Sequence, residues 1–193
     1  MLRTEELFKF ARDKIAIVLF FTIFYILVYL ASKEVGLANA IKSSGAIIFL
    51  PAGVRLLACL VGRAWGALGI FIGSFFIVVP SVYPNEASSF HLAVSLINTL
   101  SAFLSVVLAL KFFKISDDLS NLRFTQLPFI DLIATFSQAT FYYLFLYSVN
   151  HVEESELLPK FVSQMTGNFL GGMIFMLSFL VFVNVMKRRN TIR

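Results

Sequence analysis

The chain has 193 residues, 59% apolar and 14% charged, with 23 Phe and a mean hydropathy of +0.85. Soluble domains hold roughly 45–50% apolar and about 25% charged residues, so there is too little polar surface here to coat a water-soluble globule. The net charge of +5 sits between long uncharged runs, the pattern of basic membrane flanks rather than of a nucleic-acid surface.

In chain order, residues 1–14 read as an interfacial amphipathic segment. Leu7, Phe8 and Ala11 share one helical face, with Glu5, Glu6, Lys9 and Arg12 elsewhere. A bilayer core of ~30 Å takes about 20 apolar residues, and residues 15–186 hold six such runs. These are Ile15 to Ser32, Ser43 to Val61, Ala64 to Pro80, Phe90 to Leu110, Leu127 to Val149 and Phe161 to Met186. The break between the second and third is only Gly62-Arg63. Residues 187–193 form a basic tail. The apolar run ahead of Ala38-Asn39-Ala40 is too long for a secretory leader, so the first span is expected to be uncleaved. The expected fold is therefore all-α: a polytopic six-helix membrane bundle with short loops.

Lys and Arg counted on each side set the orientation. With the N-terminus inside, the inner flanks hold Arg3, Lys9, Arg12, Lys14, Arg63, Lys111, Lys114, Arg123, Lys187, Arg188, Arg189 and Arg193. The outer flanks hold only Lys33, Lys42 and Lys160. Both termini are expected in the cytoplasm of a bacterial inner membrane, with membrane lipids as surroundings and no nucleic-acid partner.

Helices in lipid associate through small residues that let backbones approach. Gly62, Gly66, Gly69 and Gly73 make such a face on the third span, and Gly167 and Gly171 make one on the sixth. On the fifth span Asp131, Thr135, Gln138 and Tyr142 fall on one helical face, which is costly against lipid and should point inward. Arg55 in the second span matches the depth of Asp131, and an intramembrane Arg55–Asp131 ion pair is expected. Asn98, Thr135, Gln138, Tyr142, Gln164 and Asn168 are the candidates for a central pocket. Pro51-Ala52-Gly53 removes a helical hydrogen bond and marks a kink or an opening.

Metalloprotease, nucleophile-elbow and phosphate-loop motifs are missing from the sequence, as is any CxxC. His91 and His151 fall near the outer surface and read as solvated loop residues. No catalytic residue, metal site or cofactor is expected.

The stretch Phe49-Leu50-Pro51-Ala52-Gly53-Val54, then Leu56-Leu57, Gly62-Arg63-Ala64-Trp65 and Gly69, resembles the opening of the first class of bacterial membrane-associated sensor (MASE) domains. Thr166-Gly167-Asn168-Phe169-Leu170-Gly171-Gly172 is similar to a Gly-Asp-x-x-Gly stretch late in those domains, with Asn168 where an acidic residue is usual. The resemblance implies an inner-membrane sensor-like input module, here acting through separate integral membrane proteins. Six helices in so short a chain also look like the substrate-binding components of energy-coupling-factor transporters, which implies a small-molecule ligand. A third reading is a structural subunit of a respiratory or photosynthetic membrane complex. The leading expectation is a non-enzymatic sensor-like or accessory module that docks partner membrane proteins by helix–helix contact.

Overall fold

The computed structural model describes residues 4–35 and 48–191, and the side chains within 9–35 and 48–182. All regular structure among these residues is helical. Helix α1 runs Thr4–Glu34, α2 Pro51–Leu57, α3 Arg63–Gly73, α4 Val79–Val82, α5 Ser88–Phe112, α6 Leu127–Ser148 and α7 Glu154–Thr191. Wider π turns, Ala58–Gly62 and Ser74–Val78, link α2 to α3 and α3 to α4.

Five helical stretches among the described residues are long and apolar enough to cross a bilayer, not the six expected: Lys9–Glu34, Pro51–Val82, Ser88–Phe112, Phe124–Ser148 and Glu154–Phe182. The expected second and third spans fall together in Pro51–Val82, and residues 43–47 of the second lie outside the described residues. Within that stretch the chain folds back at Arg63, whose φ of 52° lies in the left-handed region. The reversal brings Gly66 against the carbonyl of Ala58, eight positions earlier. In a straight helix that separation would be about 12 Å. The twelve residues Pro51–Gly62 are therefore a half-length arm of about 18 Å, and Arg63–Val82 is the long one.

The N-terminal segment is also not a separate element. From Thr4 it continues into the first span as one helix. The start of the basic tail likewise continues α7 to Thr191.

Contacts between helices fix their directions. Gly62 faces Ile17 and Phe21, the Thr22 hydroxyl donates to the Gly69 carbonyl at 3.0 Å, and Gly73 faces Tyr25 and Ile26. Helices α1 and α3 thus run parallel. The half-length arm runs parallel to α7: the Phe49 amide donates to the Gly167 carbonyl at 2.9 Å, and Gly53 abuts Phe175. Helices α5, α6 and α7 alternate in direction, with Phe90 beside Phe145, Phe113 beside Phe129, and Tyr143 beside Phe161. At one end of the bundle the Arg63 guanidinium donates to the Asp117 carbonyl at 3.0 Å, pinning the reversal to the α5–α6 loop.

Burial is centred on the short arm. Residues 51–60 are all buried, and Val54, Leu57, Ala58 and Leu60 pack with Phe21, Ile70, Val106 and Ile130 in the main core. The outer faces are the reverse. Phe10, Leu19, Phe20, Ile23 and Leu27 of α1 are each more than half exposed, a surface suited to hydrocarbon rather than water.

The reversal makes a specific demand on Gly66, because its first side-chain carbon would occupy the place of the Ala58 carbonyl. Gly66→Leu is expected to cost about 1–3 kcal/mol or more in reversible unfolding from mixed micelles. Leu68→Ala, at a 40% exposed position, should change stability by less than about 0.5 kcal/mol. Equal stabilities for the two variants would contradict the fold-back at Arg63.

Candidate functional site

The most buried arm carries the intramembrane arginine. Arg55 is only 6% exposed, one turn after the Pro51 that starts the helix inside the bundle. Among the described residues it makes no ion pair and no side-chain hydrogen bond. Its side chain instead lines a partly open cavity of about 400 Å³ bounded by α1, α2, the α3–α4 arm, α5, α6 and α7.

The expected Arg55–Asp131 ion pair is not formed. No guanidinium nitrogen lies within 4.0 Å of the carboxylate. Asp131 is 2% exposed and turned away from the cavity toward α7, where Gly172 leaves the space a side chain would fill. The Thr135 hydroxyl reaches Asp131 Oδ1 at 3.4 Å, and Oδ2 has no hydrogen-bond partner. The matched depth inferred from sequence is therefore not enough. The carboxylate sits against Gly172 of α7, and the guanidinium lines the cavity.

Five of the six expected pocket residues line this cavity: Asn98, Gln138, Tyr142, Gln164 and Asn168. Thr135 does not; it is buried beside Asp131. Three of the five form a chain of amides across the bundle. Asn168 Nδ2 donates to Gln138 Oε1 at 2.7 Å, and Gln138 Nε2 donates to Asn98 Oδ1 at 2.6 Å. Buried amides left unpaired in an apolar bundle are costly, so this relay holds α5, α6 and α7 in one register along the cavity wall. Tyr142 shares a hydrogen bond with the hydroxyl of Tyr83, at 2.5 Å.

Sequence reasoning missed Tyr25, Ser74, Tyr83 and Lys160, which also line the cavity. Tyr25 and Tyr83 look like interfacial aromatics and Lys160 like an ordinary outer flank. Their role depends on α4 and the start of α7 closing over one end of the bundle. Val78, Val79, Val94 and Leu146 supply apolar wall. The lining contains no Asp or Glu, and its charged side chains are Arg55 and Lys160, the latter held by Glu156 at 2.7 Å.

The expected packing glycines turn inward. Gly62, Gly66, Gly69 and Gly73 all meet this chain's own atoms, and Gly171 abuts the backbone of Phe49. Gly167 supplies the carbonyl that accepts from Phe49.

The two histidines bond to the protein separately, His151 as part of the cavity lining. His91 Nε2 lies 2.7 Å from the Tyr83 carbonyl, while His151 bonds to the Val149 carbonyl through Nδ1 and lies 3.1 Å from Glu86 through Nε2. The His151 ring stacks on Phe90 at 4.7 Å. Among the described residues no three His, Cys, Asp or Glu side chains gather as a metal site.

Comparison of the chain with protein-family models, with curated proteins and with solved structures finds no match in any of the three.

The cap at His151 titrates in an accessible range. The Val149 carbonyl, and then Glu86, raise its pKa above the ordinary 6.5 by favouring the protonated ring. A raised folded-state value means that the stabilisation is complete below about pH 6.5 and is lost as pH rises through the folded pKa. The thermal midpoint of the detergent-solubilised protein should therefore exceed that of His151→Asn at pH 5.5, with the gap narrowing above neutrality. A gap independent of pH would show that the cap does not use the charged ring.

Proposed function

We propose that this protein is a multi-pass protein of a bacterial inner membrane, with both termini cytoplasmic, that holds a small molecule inside its helix bundle. The observation that carries the reading is the cavity of about 400 Å³, polar at Arg55 and the amide relay and apolar along the valines of α3–α4 and α5. Ligand sites are concave, largely apolar and oriented by a few placed polar groups, within roughly 300–1,000 Å³. The orientation rests on the concentration of Lys and Arg at the inner flanks. It also agrees with the helix directions, which put the start of α1 and the end of α7 at the same end of the bundle.

Binding, rather than catalysis, is the function this lining supports, and occupancy would be passed to other integral membrane proteins. Both resemblances in the sequence accommodate such a role, as the input of a sensor or the capture subunit of a transporter. Docking without a ligand draws less support, because the small-residue faces that would seat partner helices are filled by this chain's own backbone and side chains.

Native mass spectrometry on tagged protein, extracted gently from its own host at native expression, tests the proposal. The expected result is a small-molecule adduct that disappears when the cavity is filled by Val94→Trp. A fixed-ratio complex with another membrane protein, carrying no small-molecule mass, would replace it with the accessory reading.

A further inference from the structure

An intramembrane guanidinium held in no ion pair is costly. Arg55 is in that position among the described residues. It is more than nine-tenths buried, aimed into the cavity, and unpaired among the described residues. The one carboxylate at hand, Asp131, faces α7 instead. The rest of the lining does not neutralise the charge. No Asp or Glu contributes to it, and Glu86 and Glu156, near its outer end, are engaged by His151 and Lys160.

The amide relay adds a donor to the same cavity. Asn168 and Gln138 donate in turn, so the last member, Asn98, has its NH₂ with no protein acceptor among the described residues, while the Asn168 oxygen at the other end has no donor. Among the buried side chains of the lining, Arg55 alone is charged. Between this polar floor and the outer end stand Val78, Val79, Val94 and Leu146.

Resting on the ligand-binding reading, we infer that the cavity takes an organic anion, a carboxylate or phosphate monoester group carried on an apolar body, with the anionic head on Arg55. A planar guanidinium pairs with either oxyanion through two parallel hydrogen bonds. At a buried position in an apolar bundle that pairing is stronger than at a surface. Such an anion can come from solution as an organic acid or from the bilayer as a lipid phosphate.

The test titrates the full-length purified protein with 4-phenylbutyrate, with its uncharged counterpart 4-phenylbutanol, and with phosphatidic acid in mixed micelles. Thermal midpoint and equilibrium binding are read for wild type, Arg55→Gln and Arg55→Lys. The expected result is stabilisation of wild type by an anionic probe and not by the alcohol. Arg55→Gln should bind the anion about tenfold or more weakly, as loss of a charge-assisted pair requires. Arg55→Lys should lie between the two. Arg55-dependent binding of phenylbutyrate supports a solution ligand, and the same dependence for phosphatidic acid alone supports an anion site loaded from the membrane. If the alcohol binds wild type as well as phenylbutyrate does, the cavity stands but the anion assignment falls. If neither compound nor the lipid binds wild type, the inference and the ligand-binding reading fall together. Should Arg55→Gln fail to fold, the contrast between acid and alcohol on wild type, with Arg55→Lys, still decides it.

Discussion

A guanidinium inside an apolar bundle has to meet water, a protein carboxylate or a ligand anion, and the architecture of this protein bears on all three. Arg55 lies on the half-length arm, where every residue from 51 to 60 is buried, and is itself only 6% exposed. The Asp131 carboxylate sits against Gly172 and forms no ion pair with Arg55. What remains on its open side is a cavity lined by amides, tyrosines and valines. The cost of leaving the charge there is a few kcal/mol, comparable to a large part of a domain's net stability. A buried charge retained at such a cost, on the wall of a cavity, is better explained by what binds it than by what it holds together.

The other features of the fold follow from building this site. Pro51 starts a helix partway along the bundle, where its missing N–H has no helical partner to lose, and so places Arg55 on the first turn or so of a central element. The reversal at Arg63 returns the chain as a long arm whose far end, from Ser74 to Tyr83, becomes one wall of the cavity. Glycines on α3 and α7 allow backbones to pass closely enough to surround a short helix on all sides. The amide relay then holds α5, α6 and α7 at fixed heights. His151, Glu86 and Phe90 are joined where the α6–α7 connection meets the start of α5.

Much of this was legible in the sequence. Helix type and the long apolar runs followed from hydropathy, and the break at Gly62-Arg63 from two adjacent residues. The inward-facing stripe of α6 followed from the 4, 3, 4 spacing of Asp131, Thr135, Gln138 and Tyr142. Three things did not follow. The number of long helices differs because length along the sequence does not reveal that Pro51–Gly62 is a half-length arm folded against its successor. The Arg55–Asp131 ion pair did not follow because matched depth gives no information about azimuth, and the carboxylate lies against Gly172. Tyr83 and Lys160 were overlooked because their contribution arises from tertiary closure at one end of the bundle, which carries no local signature.

The account's central claim is that Arg55 is kept for binding and not for folding. The most direct test is the stability of ligand-free Arg55→Met against ligand-free wild type, both measured by reversible unfolding in the same mixed micelles. Relief of an unpaired buried charge predicts that the variant is the more stable, by about 1–3 kcal/mol. A variant less stable than wild type would mean that the guanidinium serves the fold itself, and would contradict the account.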